Sequence, residues 1–392
     1  MAVQKQAPAL AADDEVDALR ARVAALEAEN AALRGAPVDL YAAVDALQKA
    51  MYEKGSEVLQ RRVDVTKKRE LFAVGLVMCF YPVSLLLSCY LTYTIVATRS
   101  AVGAAVAACY AAWVYVDAAP RQCGRSSRRV RFGALARWLG GYFPLDLRKA
   151  DPASDFDAGD VYMFGYHPHG IISVGCFTQF AFDGSGASRL FPGLRFHCAT
   201  LNFNFRVPFF RELLLAIGVI EVSAASIRNA LASGPGAAVV IVPGGAAESL
   251  DASPGTEHVL TLRKRNGFFR IALQHGVKLV PVFSFGENAL YDAVTPTGLI
   301  KRAQTSFLKL FGFAVPVYLG AGSNSSFFGS PIPHRHPIFT VVGDPIKCPV
   351  IAQPTQAEID DLKLKYIARL EAVFETFAAD CGARGHALKI EK

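Results

Sequence analysis

The chain has 392 residues, of which 52% are hydrophobic and only 19% charged, and it carries a formal net charge of +7. At roughly 150 residues per domain it has room for one large domain or two, and so apolar a composition points to a membrane rather than to free solution. Lys and Arg cluster beside an apolar segment, without zinc-finger spacing or a basic helix bearing base-reading side chains, which excludes nucleic acid in favour of an anionic membrane surface.

Residues 1–60 read as a polar, helical arm with no secretory signal. Within it, residues 14–34 hold a short heptad run in which Val16, Leu19, Val23, Leu26, Asn30 and Leu33 fall on alternating steps of three and four. That pattern suits a parallel coiled-coil homodimer with Asn30 fixing the register, or a solvated amphipathic helix. Three heptads are marginal for stability alone.

Residues 61–120 read as a membrane hairpin with basic flanks. Residues 71–97 contain no charge, and as a helix they extend about 40 Å, more than the ~30 Å of a hydrocarbon core. Pro82 should kink this helix. Thr98-Arg-Ser100 interrupts before a second apolar run, 101–116. Arg61, Arg62, Lys67, Lys68 and Arg69 precede the pair, and Arg121, Arg125, Arg128, Arg129 and Arg131 follow it, so by the positive-inside rule both ends face the cytosol. A spanning hairpin and one re-entrant in a single leaflet both fit. The eight cysteines show no CxxC pair and read as small buried hydrophobes of a reducing compartment.

Residues 121–392 read as one α/β domain. Apolar runs at 161–166, 194–199, 237–242, 277–284 and 338–342 suit buried strands. Helices are predicted at Pro208–Ile217, Ser226–Leu231 and Phe268–His275, and an amphipathic one over 355–379 with Thr355 as N-cap. The alternation implies a mostly parallel sheet covered by helices on both faces.

Two strand ends carry chemistry. The first runs into His167-Pro-His-Gly170. Pro168 stiffens the turn, Gly170 lets the backbone leave it, and two imidazoles are presented at a carboxyl edge, where an α/β enzyme places a general base. Surface histidines or a chance metal pair are the competing readings. A metal hydrolase fails for want of further clustered ligands. The second strand end is Val242-Pro-Gly-Gly-Ala-Ala-Glu-Ser249. Gly244 and Gly245 permit close approach of a ligand or backbone. If strands 161–166 and 237–242 are neighbours, Glu248 could orient an imidazole and raise its basicity. A third cluster, Arg263, Lys264, Arg265 and Arg270 around Gly267, has the makings of a phosphate site.

With these residues in view, the chain resembles the type 2 diacylglycerol acyltransferase family, which includes monoacylglycerol acyltransferases and some wax ester synthases. Tyr142-Phe-Pro144, His167-Pro-His-Gly170 and the glycine-rich 242–249 match its blocks. So do Arg265-Asn-Gly-Phe-Phe-Arg270 with Leu279-Val-Pro-Val-Phe-Ser-Phe-Gly-Glu-Asn288, Pro331-Ile-Pro-His-Arg335 and Val341-Val-Gly-Asp-Pro-Ile346. The match runs in order from about residue 60 to 380.

The resemblance implies a membrane-anchored acyltransferase that moves an acyl group from acyl-CoA to a lipid hydroxyl at the endoplasmic reticulum and on lipid droplets. Acyl-CoA is a co-substrate, and no cofactor or metal is required. It assigns the base to the two histidines, of which His169 is favoured here with His167 in support, and Pro168 and Gly170 then belong to the substrate site. Related glycerolipid acyltransferases place an Asp five residues beyond a His. Ile172 and Val174 stand there, which makes Glu248 the candidate partner. Arg263, Lys264, Arg265 and Arg270 are expected at CoA phosphates, as are Arg206 or Arg211. Asn266 replaces a basic residue common in the family. The N–H groups of Gly244 and Gly245 are possible oxyanion donors. Diacylglycerol is the leading acceptor, with monoacylglycerol or a fatty alcohol as runner-up. A non-catalytic lipid-droplet scaffold is the reading from another class.

Overall fold

The computed structural model describes residues 68–252, 254–293, 302, 306, 318–321 and 330–391. The heptad run and the rest of the arm lie outside them.

Helix α1 spans Lys68–Ala97 without interruption through Pro82, and α2 spans Ala101–Val116. Both are long and apolar enough to cross a membrane, with most of their surface uncovered by the protein, as befits a membrane-associated chain. Arg99 occupies the turn between them at φ 50°, and Ser100 caps α2 by accepting the Gly103 N–H at 3.0 Å. One face of α1 packs on the domain, burying Ala73 and Val74 against the short α3, Ala134–Tyr142. At its start Glu70 pairs with Arg335 at 3.3 Å, both side chains largely buried. Tyr142 donates to the Pro333 carbonyl at 2.7 Å, so the Tyr-Phe-Pro and Pro-x-Pro-x-Arg segments are brought together beneath the hairpin.

The strands that follow are β1 (Leu145–Lys149), β2 (Tyr162–His167), β3 (Arg195–Thr200), β4 (Ile220–Glu221), β5 (Ala237–Ile241), β6 (Glu257–Thr261), β7 (Lys278–Phe285), β8 (Asp292–Ala293), β9 (Tyr318–Leu319), β10 (Ile338–Val342), β11 (Ile346–Lys347) and β12 (Ala387–Glu391). Among the described residues, the main sheet has the order β1-β10-β7-β2-β5-β3-β4, with β11 also on β7. The pairings are parallel except where β10 and β11 meet β7. The helices between strands are α4 (Phe210–Ala216), α5 (Ala224–Leu231), α6 (Gly245–Asp251) and α7 (Asn266–His275), and α8 (Gln356–Phe377) follows the last strand of the main sheet.

Central strands are buried on both faces, so their sequences are continuous apolar runs rather than alternating ones. In β5, Ala238 and Val240 join the core on the α1 and α3 side, while Val239 and Ile241 join the core under α5, α7 and α8. Each large apolar side chain so buried contributes roughly 1.5–3 kcal/mol. The long α8 starts at a capping box, Thr355 with Glu358, and lays Ile359, Leu362, Tyr366, Leu370 and Val373 on the sheet. A separate two-stranded sheet, β6 with β12, stands beside the carboxyl edge.

Candidate active site

β2, β5 and β7 are adjacent and parallel, so the turns that follow them open on one crevice. These turns are His167-Pro-His-Gly170, Val242-Pro-Gly-Gly245 and Gly286-Glu-Asn288. A cavity of about 180 Å³ lies there, lined by Pro168, His169, Gly170, Glu248, Ala252, Glu257, Val259 and Asn288.

The two histidines have different environments. His167 is fully buried and its Nε2 is 3.1 Å from the Tyr366 hydroxyl. That hydroxyl donates its single hydrogen to the Gly165 carbonyl at 3.0 Å, so it accepts from His167, which must carry its proton on Nε2. A side chain at Gly165 would collide with the Tyr366 hydroxyl, which is why glycine stands in the middle of β2. Burial lowers the His167 pKa to about 3. His169 is partly exposed to the cavity, and its Nδ1 lies 3.0 Å from the Gly170 carbonyl. A carbonyl only accepts, so Nδ1 holds the proton and Nε2 keeps its lone pair. Burial lowers its pKa, the Gly170 carbonyl opposes that, and Arg265 lowers it further.

Glu248 lies 4% exposed at the start of α6. It was expected to orient an imidazole; instead it binds main chain. Oε2 accepts the His169 N–H at 3.0 Å and Oε1 accepts the Thr261 N–H at 2.7 Å, joining the His turn to β6. A Cβ at Gly244 would strike the Glu248 carboxylate, so the glycine is a consequence of this approach. Burial lifts the Glu248 pKa to about 7 against the pull of the two N–H groups and Arg265. Gly245 sits at φ 58° and its N–H closes a turn on the Val242 carbonyl at 3.2 Å, which removes it as an oxyanion donor. Gly244 is the remaining member of that pair.

The cations separate into four environments. Arg263, Lys264 and Arg270 are exposed around the start of α7, with Arg263 Nε donating to the Ile390 carbonyl at 3.2 Å. Arg265 reaches inward and donates to the Gly244 carbonyl. Arg206 is exposed after β3. Arg211, expected at a phosphate, is fully buried and salt-bridged to Asp117 and Glu212. A guanidinium with two carboxylates in a closed site has no room for a third anion. Asn266 accepts from Lys363 at 2.7 Å.

Two residues of the site were not singled out by sequence. Glu287 is buried behind the His turn, where it accepts from the Tyr166 hydroxyl at 2.8 Å and from the Gly175 N–H at 3.0 Å. Burial lifts its pKa to about 7. Its signal was present, since a glycine and a carboxylate close an apolar strand at 285–287 as they do at 242–248. Tyr366 gave none, because its spacing on α8 is that of any core residue.

Residues 97–390 match the family described as diacylglycerol acyltransferase. Diacylglycerol O-acyltransferase 2 of Dictyostelium discoideum is 42% identical over 69% of this chain and 82% of that protein. The Homo sapiens protein of the same name is 41% identical over 69% of this chain and 70% of its own. 2-Acylglycerol O-acyltransferase 1 of Bos taurus is 43% identical over 68% and 79%. The solved 1-acyl-sn-glycerophosphate acyltransferase of Thermotoga maritima is 13% identical and aligns over 79% of this chain and 98% of its own, with a TM-score of 0.36.

Proposed function

The chain belongs to the diacylglycerol acyltransferase family and is an acyltransferase, and we propose that it esterifies diacylglycerol with the acyl group of acyl-CoA, with His169 as general base. The observation that carries the choice of base is the Nδ1–Gly170 bond, which leaves a lone pair on Nε2 of a histidine that lines the cavity. The free hydroxyl of diacylglycerol gives its proton to Nε2 as its oxygen attacks the thioester carbon. The tetrahedral intermediate collapses by breaking the C–S bond, and the proton passes from His169 to the CoA sulfur. The products are triacylglycerol and CoA, with atoms and charge balanced and no cofactor drawn in.

Arg263, Lys264 and Arg270 are the exposed cations suited to CoA phosphates. Arg265 sits closer, beside Glu248, where it counters that carboxylate. Gly244 N–H is the candidate oxyanion donor. His167 acts through structure, holding the turn by way of Tyr366.

A second reading keeps the chemistry and changes the acceptor to monoacylglycerol, favoured by the 43% identity to the bovine 2-acylglycerol enzyme. We place the catalytic domain on the cytosolic side of the endoplasmic reticulum and on lipid droplets, from the basic flanks and the family resemblance. The test uses membranes from cells lacking storage lipid, with wild type or His169→Ala, labelled oleoyl-CoA, and diacylglycerol, monoacylglycerol or a long-chain alcohol. Label in triacylglycerol that vanishes in the variant supports the leading reading. Label chiefly in diacylglycerol or wax ester selects another acceptor, and no product from a folded protein refutes all three.

A further inference from the structure

Exposed apolar surface continues from the hairpin onto the catalytic domain. Between β3 and α4, the segment Asn202–Phe209 turns Phe203 and Phe209 outwards, 41% and 40% exposed, while Phe205 and Val207 point into the core. Arg206, between them in sequence, is exposed. Phe209 is held at φ 65°, a conformation that non-glycine residues keep only where their surroundings impose it.

The next two residues fasten this segment to both helices of the hairpin. Phe210 packs edge-on against Tyr81 of α1, with ring centroids 5.0 Å apart. Arg211 holds Asp117 at the end of α2. Tyr81 and Asp117 are each 18 residues from Arg99 in the hairpin turn, by subtraction of their numbers. At 1.5 Å per residue that is about 27 Å along either helix. Two independent helices therefore give one distance from the Phe210–Arg211 level to the charged turn, and it matches a hydrocarbon core of about 30 Å. Trp113 and Tyr115 are exposed in the last turn of α2, and Arg125 lies over the Trp113 ring at 5.0 Å. Amphipathic rings beside a cation are what the boundary of a bilayer collects.

We infer that the segment Asn202–Phe209 is a membrane-contacting loop, seated in the near headgroup layer with Phe203 and Phe209 among the acyl chains and Arg206 level with lipid phosphate. The occupant of this surface is bilayer lipid, because the loop is continuous with the exposed apolar surface of the hairpin. Lys and Arg reach phosphate from such a position by extending their stems. The loop follows β3, which pairs with β5 beside β2, so the membrane contact lies on the same sheet edge as His169.

The test uses the full chain in lipid nanodiscs with Trp113 and Trp138, its two tryptophans, changed to Phe. Phe203→Trp and Phe209→Trp are then examined separately. Phosphatidylcholine brominated near the glycerol end of its acyl chains should abolish most of the emission from either tryptophan. Bromine near the methyl end should quench less, and aqueous iodide least. A tryptophan quenched by iodide and not by bromolipid overturns the inference by placing the loop in water. Protection from both overturns it in favour of a protein cover. A cooperative thermal transition in each variant confirms that the fold is intact, and the readout is independent of any acyl transfer.

Discussion

Glu248 holds His169 by its main chain, with one carboxylate oxygen 3.0 Å from the His169 nitrogen and the other 2.7 Å from the Thr261 nitrogen. A carboxylate can accept both N–H groups, whereas an amide offers one oxygen and one NH2. Glu248→Gln should therefore leave one buried N–H facing a donor, at a cost on the order of 1–3 kcal/mol. We expect a lower melting temperature and a clear fall in kcat, with the KM for acyl-CoA near wild type. Unchanged turnover would remove the clamp from catalysis.

The histidines should separate by experiment. His169→Ala removes the cavity-lining group with a lone pair on Nε2, and loss of a general base typically costs about 10²–10⁴ in rate. Tyr366→Phe takes the acceptor from the His167 Nε2–H, so it should act on stability, by about 1–3 kcal/mol, and much less on kcat. Because His169 must be neutral to act and its pKa is lowered from 6.5, activity should fall with acidification only below that pH. A kcat/KM profile with its acid limb above 6.5 would point to another base.

The strands at the centre of the sheet were legible from sequence because both of their faces are buried. The run 338–342 is β10 to the residue, and β2, β3, β5 and β7 lie within a residue of the apolar stretches that predict them. β1 was missed because Leu145-Asp-Leu-Arg-Lys149 is an edge strand whose polar side chains alternate with apolar ones. β6 and β12 escaped for a related reason, since their small sheet buries only one face and its pattern is exposed at every second residue. Of the site, the two strand ends were readable as turns. What each polar atom binds was not: Glu248 meets a main-chain N–H through a fold in which residues 169, 248 and 261 converge, and no local pattern records that. Arg211 shows the same limit, for a charge in sequence looks alike whether it faces solvent or a buried aspartate.

Glu287 permits a pH experiment with a definite sign. Its pKa rises from about 4.5 to about 7 in the folded protein, so between those values the native state holds a proton that the unfolded state has released. Its contribution to stability is lost as pH rises through that window, by about 1.4 kcal/mol per pKa unit. His167, lowered to about 3, works oppositely, its contribution growing from about pH 3 to 6.5. Wild-type stability is the sum of such opposed slopes, so the informative quantity is a difference. Glu287→Gln should gain on wild type between pH 4.5 and 7 and run parallel above. Gln can still accept from Gly175 and donate to the Tyr166 oxygen. Parallel curves across the whole range would show that Glu287 is ionised in the fold like an ordinary carboxylate.

The Arg211–Asp117 pair joins the end of α2 to α4, and its two halves should not be equivalent. Removing one partner of a buried ion pair costs about 3–5 kcal/mol when the other is left without compensation. Asp117→Leu strands a fully buried guanidinium, with the half-exposed Glu212 as its remaining carboxylate among the described residues. Arg211→Met leaves Asp117 with Arg125, which it already meets at 2.6 Å, so the loss should be smaller. The double variant Asp117→Leu/Arg211→Met should be more stable than Asp117→Leu alone, because the orphaned charge is gone. Thermal unfolding in detergent reads all three differences. The KM for acyl-CoA should stay near wild type in Arg211→Met, since this arginine is enclosed by protein carboxylates. A steep rise in that KM from a protein with an intact melting transition would return Arg211 to the phosphate site.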